Sequence, residues 1–184
     1  MNIFTNQQMA IIFLVLFILV IFIKTRKREK YSHKWRKKSS IKVLNKIQDM
    51  EASHIFVYLR KIDPFIMEEL ILDSLDKRED IKVIRNNRYT GDNGVDGKFI
   101  LTEEIEGKKI RYKYIIQVKR YKSYINPKHV EEFIQHINRE KAHKGLFIHT
   151  GKTSNHSFNL AHNEDKLSII SGSKLISLLK EQKI

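Results

Sequence analysis

Between Met9 and Ile23 the chain reads MAIIFLVLFILVIFI, with no polar side chain anywhere in the run. A helix on the surface of a soluble domain keeps a polar stripe, and this one has none. As a helix the run is roughly 22 Å long, short of the ~30 Å hydrocarbon core of a bilayer. Adding the uncharged residues from Ile3 brings it to roughly 31 Å, long enough to span. No Lys or Arg precedes the run and no small-residue cleavage site follows it, which separates it from a secretory signal. The sequence therefore predicts a transmembrane anchor over residues 1–23.

The flank gives the orientation. Lys24, Arg26, Lys27, Arg28, Lys30, Lys34, Arg36, Lys37 and Lys38 follow the run, opposed only by Glu29. The positive-inside rule then places everything downstream in the cytoplasm, which predicts a single-pass protein of the inner membrane. Trp35, among these charges, suits the membrane interface. The same cations also suit anionic headgroups or DNA phosphates. The whole chain carries 35 Lys+Arg against 21 Asp+Glu, a net +14, so a polyanion is its expected partner. Without cysteine it has neither disulfides nor thiolate metal sites.

Three segments follow from these patterns: the anchor (1–23), a basic juxtamembrane and helical connector (24–58), and a globular domain (59–184). The connector has a weak apolar stripe through Ile41, Leu44 and Ile47. In the domain, Asp63 caps a helix with Pro64 at its first position, and Met67, Leu70, Ile71 and Leu75 recur at helical spacing. IKVIRN (81–86) alternates as a strand, and TGDNGVDG (90–97) reads as a turn. KFILTEE and KKIRYKYIIQVKRY form two longer strands joined by a hairpin at EIEGKK. Asn126 and Pro127 open an amphipathic helix, GLFIHT (145–150) is a buried strand, and Ser154 caps a short helix. LSIIS is a last strand and SKLISLLKEQK a last helix. The order is α-β-β-β-α-β-α-β-α, an α/β fold.

Strand alternation puts Gln117 and Lys119 of YIIQVKRYK on one face, with Ile116 and Val118 on the other. An unpaired ammonium on a buried face is costly, so that face is wet or meets an anion. Asp96, between Gly94 and Gly97, faces them if the two strands pair, and Glu68 on the first domain helix is a further acid. Carboxylates, a divalent cation and a lysine together suit phosphodiester hydrolysis. A structural Asp96–Lys119 ion pair is the other reading of the same residues. The six histidines from His129 to His162 lack the spacing of a zinc site.

GDNGVDG followed by IIQVKRYK resembles the catalytic domain of Mrr-like restriction endonucleases, in the PD-(D/E)XK nuclease superfamily. DPFIMEELILDSL is similar to the opening helix of that family, and KGLFIHTGKTSNHSFNLA and LSIISGSKLISLL to its later strand–helix segments. The resemblance runs from about Asp63 to the C-terminus. It implies an αβββαβ core with a mixed central sheet flanked by helices, here preceded by one transmembrane helix. It implies a Mg²⁺ (or Mn²⁺) ion bound by Asp96, Gln117 and Glu68, with Lys119 as the catalytic lysine, and DNA as substrate. Gln117 offers a neutral oxygen where much of the superfamily has a carboxylate, which weakens cation binding. No helix-turn-helix recognition domain accompanies these motifs in the sequence.

Arg85, Arg88, Arg120, Lys122 and Lys128 are the expected phosphate contacts. Together these features predict a membrane-anchored DNA endonuclease of restriction or defence, with a homodimer left open. Two alternatives remain: a catalytically silent, membrane-tethered DNA-binding protein, and a repair-type nuclease for branched DNA.

Overall fold

A computed structural model describes residues 6–85 and 94–184, with side chains over 11–24, 34–85 and 94–184. The elements are α1 (Asn6–Gln48), α2 (Ala52–Leu59), α3 (Pro64–Leu75), β1 (Ile81–Ile84), β2 (Gly97–Ile105) and β3 (Lys108–Lys119). They continue as α4 (Pro127–Arg139), β4 (Lys144–His149), α5 (Asn155–His162), β5 (Leu167–Ile170) and α6 (Gly172–Glu181). From α3 onward this is the expected order.

Local chemistry explains the boundaries. Asp63 accepts the Phe65 backbone N–H at 2.9 Å, Asn126 that of Lys128 at 3.0 Å, and Ser154 that of Ser157 at 3.2 Å. Each satisfies an orphan donor of a first helical turn. Glu106 and Gly107 form the hairpin turn with φ of 51° and 75°, between the paired Ile105 and Lys108. Two left-handed residues give the turn whose twist matches the strands.

The five strands form one mixed sheet in the order β1-β2-β3-β4-β5. β1, β2 and β3 pair antiparallel, while β3, β4 and β5 pair parallel. One face packs Phe99, Leu101, Ile116, Val118, Leu146 and Ile148 against α1, α2, α3 and α6. The other packs Ile115 and Phe147 against Val130, Phe133 and Ile137 of α4. Each fully buried side chain of this kind stabilises the fold by ~1.5–3 kcal/mol. Within the strands close approach needs glycine at two points: a Cβ on Gly97 would lie 2.6 Å from Leu72, and one on Gly145 2.4 Å from Ile137.

The N-terminal half of α1 differs from its expected division. One unbroken helix, Asn6–Gln48, joins the expected anchor to the first part of the connector, and its C-terminal turns belong to the domain core. Ser40, Val43, Leu44 and Ile47 face inward at i, i+3, i+4 and i+7, while Ile41 is exposed. A serine hides this stripe in the sequence. Its hydroxyl is buried because it donates to the Asp73 carboxylate on α3. Gln48 Nε2 also donates to Leu179 O of α6 at 3.2 Å.

Among the described residues no helix is long and apolar enough to cross a membrane. The apolar side chains described run from Ile11 to Ile23, about 20 Å of helix by its rise per residue, and a span needs ~30 Å. All of them are exposed, between 41% and 65%. Residues 1–5 of the expected anchor, and the side chains of 6–10, lie outside the described residues.

Candidate active site

The start of α3, the entry to β2 and the end of β3 meet around a pocket of about 250 Å³. Pro64, Met67, Glu68, Asp96, Val118, Lys119 and Arg120 line it. Three of the four residues expected to carry the chemistry therefore converge.

Asp96 is fixed from both ends. Its backbone N–H donates to Ile116 O at 2.8 Å, and its Oδ2 accepts the Val118 N–H at 2.7 Å. The sheet thus holds this carboxylate beside Lys119. Glu68 sits one turn into α3, half-buried against the same pocket. Burial, and then the neighbouring Asp96 carboxylate, push its acid up to about 8. Arg36 of α1 opposes that rise. Its guanidinium stacks 4.1 Å over the ring of Phe65, one turn before Glu68.

Lys119 closes β3 and stands half-exposed at the pocket. No ion pair among the described residues involves it, so the structural Asp96–Lys119 pair does not form. Beside it in register on β4 lies His149, fully buried. Its Nδ1 accepts the Gly151 N–H at 3.2 Å, which leaves Nε2 to donate to Thr153 Oγ1 at 3.2 Å. Burial holds this ring neutral, down at about 4.

Gln117 takes a different place. It is 4% exposed, outside the lining of the pocket, on the sheet face covered by α4. Its Nε2 donates to Gly94 O at 2.6 Å, which fixes the amide orientation. Among the described residues Oε1 is buried with no hydrogen-bond partner. Gly94, at φ +85°, makes room: a Cβ there would come within 2.9 Å of this amide and 2.8 Å of His136. Burial lowers the pKa of His136.

These residues fit a hard divalent cation. Two carboxylates crowd one half-buried pocket, and on the other side of β3, among the described residues, the buried Gln117 amide oxygen lacks a donor. Among the described residues no group of three His, Cys, Asp or Glu is placed to hold a metal ion. The pocket itself offers two carboxylates, Glu68 and Asp96, the sparse oxygen set that Mg²⁺ completes with water.

The expected phosphate contacts divide. Arg120 is exposed at the pocket and anchors the preceding loop, its guanidinium donating to Ile62 O and, at 3.3 Å, to Arg60 O. Lys122 and Lys128 are exposed beyond the same end of β3. Arg85 is not available for phosphate. It bonds Glu69 at 2.5 Å, Asp73 at 2.6 Å and Asp76 at 3.3 Å, with Glu69 and Asp73 buried. Two acids on α3 and Asp76 at its C-terminal cap capture it because it leaves β1 directly above them. Arg88, and the turn at 90–97 up to Asn93, lie outside the described residues.

Arg36, Arg60 and His149 escape sequence reading. Arg36 lies within a basic cluster that topology alone accounts for, and Arg60 Nη2 reaches Thr150 O, 90 positions away, at 2.6 Å.

Comparison with known proteins agrees with this geometry. The chain is 24% identical over 147 residues to the type IV methyl-directed restriction enzyme EcoKMrr of Escherichia coli strain K12. That match covers 77% of this chain and 46% of the relative, so the chain spans about half the length of the curated protein it matches. In fold it is similar to the MspJI restriction endonuclease solved with a 27-mer oligonucleotide, at TM-score 0.56 and 17% identity, over 71% of this chain and 30% of that one. The DNA modification-dependent restriction endonuclease AspBHI matches at TM-score 0.50 and 14% identity, over 81% and 36%. Residues 59–179, which contain Glu68, Asp96, Gln117 and Lys119, match the Mrr catalytic domain, described as a restriction endonuclease. The chain belongs to this Mrr-type restriction endonuclease family.

Proposed function

We propose that the chain is a metal-dependent DNA endonuclease, anchored in the inner membrane by residues 1–23 with its domain facing the cytoplasm. One observation carries the nuclease reading: Glu68, Asp96 and Lys119 meet in a single open pocket on an Mrr-type domain. Glu68, Asp96 and Gln117 would hold Mg²⁺ or Mn²⁺, which when bound polarises the phosphate and lowers the pKa of a water. Asp96 keeps its oxygens in place through the two strand contacts, and Glu68 through the capped start of α3. Lys119, with no ion-pair partner among the described residues, places its ammonium where charge develops on the phosphate. Arg120, Lys122 and Lys128 hold the DNA backbone at the same end of the sheet.

Anchoring is supported by the exposed apolar side chains from Ile11 to Ile23 and by the basic flank that follows them. Such tethering confines cleavage to DNA near the envelope, which suits restriction of incoming foreign DNA. A homodimer would bring one such pocket to each strand.

Purified full-length protein should nick supercoiled plasmid in Mg²⁺ or Mn²⁺ and stop when the metal is chelated. DNA binding with no nicking in either metal would replace this reading with that of a silent DNA-binding protein.

A further inference from the structure

The fold leaves two aromatic side chains open at the end of the sheet that holds the pocket. Tyr124 is 59% exposed and Phe158 61%, whereas Phe99, Phe133 and Phe147 are fully buried. Tyr124 lies in the β3–α4 loop and Phe158 in the first turns of α5, so both stand on segments leaving the C-terminal ends of β3 and β4.

These two segments are held together. Tyr124 forms a parallel bridge with Lys152 of the β4–α5 loop. The Lys152 N–H donates to Ser123 O at 2.9 Å, and Ile125 N–H to Lys152 O at 3.0 Å. A Cβ on Gly151 would come within 2.3 Å of Ser123 O, so the loops touch backbone to backbone. Across this joint the Lys152 ammonium lies 5.9 Å from the Tyr124 ring centroid. Phe158 lies parallel to His162, 7° between planes, with centroids 6.1 Å apart. That spacing is at the wide end of aromatic pairing, so the rings do not seal each other from solvent. A cleft of about 460 Å³ opens beside them, with Thr153, Ser171, Ser173 and Lys174 on its walls and Ile169 of the edge strand β5 in its lining.

A single exposed apolar residue needs no explanation. Here Tyr124 stands on a braced loop with the Lys152 ammonium near its ring, and Phe158 on α5 borders a cleft with hydroxyl groups and a lysine. A duplex hides its base faces within the stack and offers such a surface only phosphates. An unpaired strand offers both phosphates and free π faces.

We propose that the Tyr124–Lys152 platform and the cleft beside Phe158 form a track for an unpaired DNA strand running from the catalytic pocket. The preferred substrates are then duplexes that carry a single-stranded segment. This rests on the reading of the pocket as a site of DNA cleavage.

The test is fluorescence anisotropy on the full-length protein with oligodeoxythymidylate, a blunt duplex, and the same duplex with a single-stranded tail. Cleavage of the two duplexes is followed in Mg²⁺. Tyr124→Ala and Phe158→Ala should each weaken oligodeoxythymidylate binding about 5–100-fold. Blunt-duplex binding and melting temperature should stay as in the wild type. Tyr124→Phe and Phe158→Trp should retain single-strand binding, and the tailed duplex should be cut faster than the blunt one. Unchanged single-strand affinity in both alanine variants overturns the proposal, as does equal cutting of tailed and blunt duplexes. A changed oligomeric state in light scattering, with DNA binding intact, overturns it in favour of a contact between copies. If neither duplex is cut but oligodeoxythymidylate binding still depends on both aromatics, the cleavage reading fails and the track stands.

Discussion

Glu68 offers a test of the site that needs no DNA. In the metal-free protein its acid is pushed from 4.5 to about 8, first by burial and then by Asp96. Below the unfolded value both states carry the proton and Glu68 has no effect on stability. Between 4.5 and about 8 the folded state keeps a proton that the unfolded state has released, so stability falls as pH rises. Above about 8 both states are ionised and the full penalty is present. At ~1.36 kcal/mol per pH unit the ceiling is roughly 5 kcal/mol. Because Glu68 borders an open pocket, solvent screening reduces this to ~2 kcal/mol. Glu68→Gln removes the charge and keeps the shape. Its melting temperature should match the wild type near the unfolded carboxylate pKa and exceed it by ~4–8 °C in alkaline buffer. Divalent cation should reverse the difference, because it stabilises the ionised wild-type pair and has less to bind in the variant. The assay is thermal unfolding across pH, with and without Mg²⁺. Parallel curves for the two proteins at every pH in chelator would refute the burial of Glu68 beside Asp96.

Lys119→Ala should lower plasmid cleavage by at least ~10²-fold while duplex affinity barely moves, since one lysine among many phosphate contacts contributes little; wild-type turnover would remove Lys119 from the chemistry. Asp96→Asn should lose activity, and raised Mg²⁺ should restore part of it, as read in a metal titration of cleavage. Arg85→Ala should destabilise the fold by ~3–5 kcal/mol, because it removes the cation that the buried Glu69 and Asp73 share, and should leave the salt dependence of DNA binding unchanged. A denaturant melt and a salt titration separate those two effects. Full-length protein should stay in the membrane fraction through a high-salt wash, since apolar burial rather than charge retains it; release by salt alone would show a peripheral attachment.

The sequence by itself determined the element order from α3 onward, because each boundary is a local event. Asp63 with Pro64, Asn126 with Pro127, Ser154, and the Glu106–Gly107 turn all act within a few residues of themselves. Glu68, Asp96 and Lys119 were legible too, since motif order and strand alternation bring them to one end of the sheet. Only the tertiary structure decided the rest. Arg85 looks like any other surface cation until β1 is laid over α3, where three carboxylates capture it. Ser40 breaks an apolar stripe on paper and completes it in the fold, because Asp73, 33 positions away, accepts its hydroxyl. Gln117 shares a strand face with Lys119, yet α4 and Gly94 bury its amide while the strand end opens Lys119 to the pocket. Caps and turns depend on neighbours along the chain, so they are written in it. The partner of a charge or an amide depends on which segments pack above it, and that is set only when distant elements close on one another.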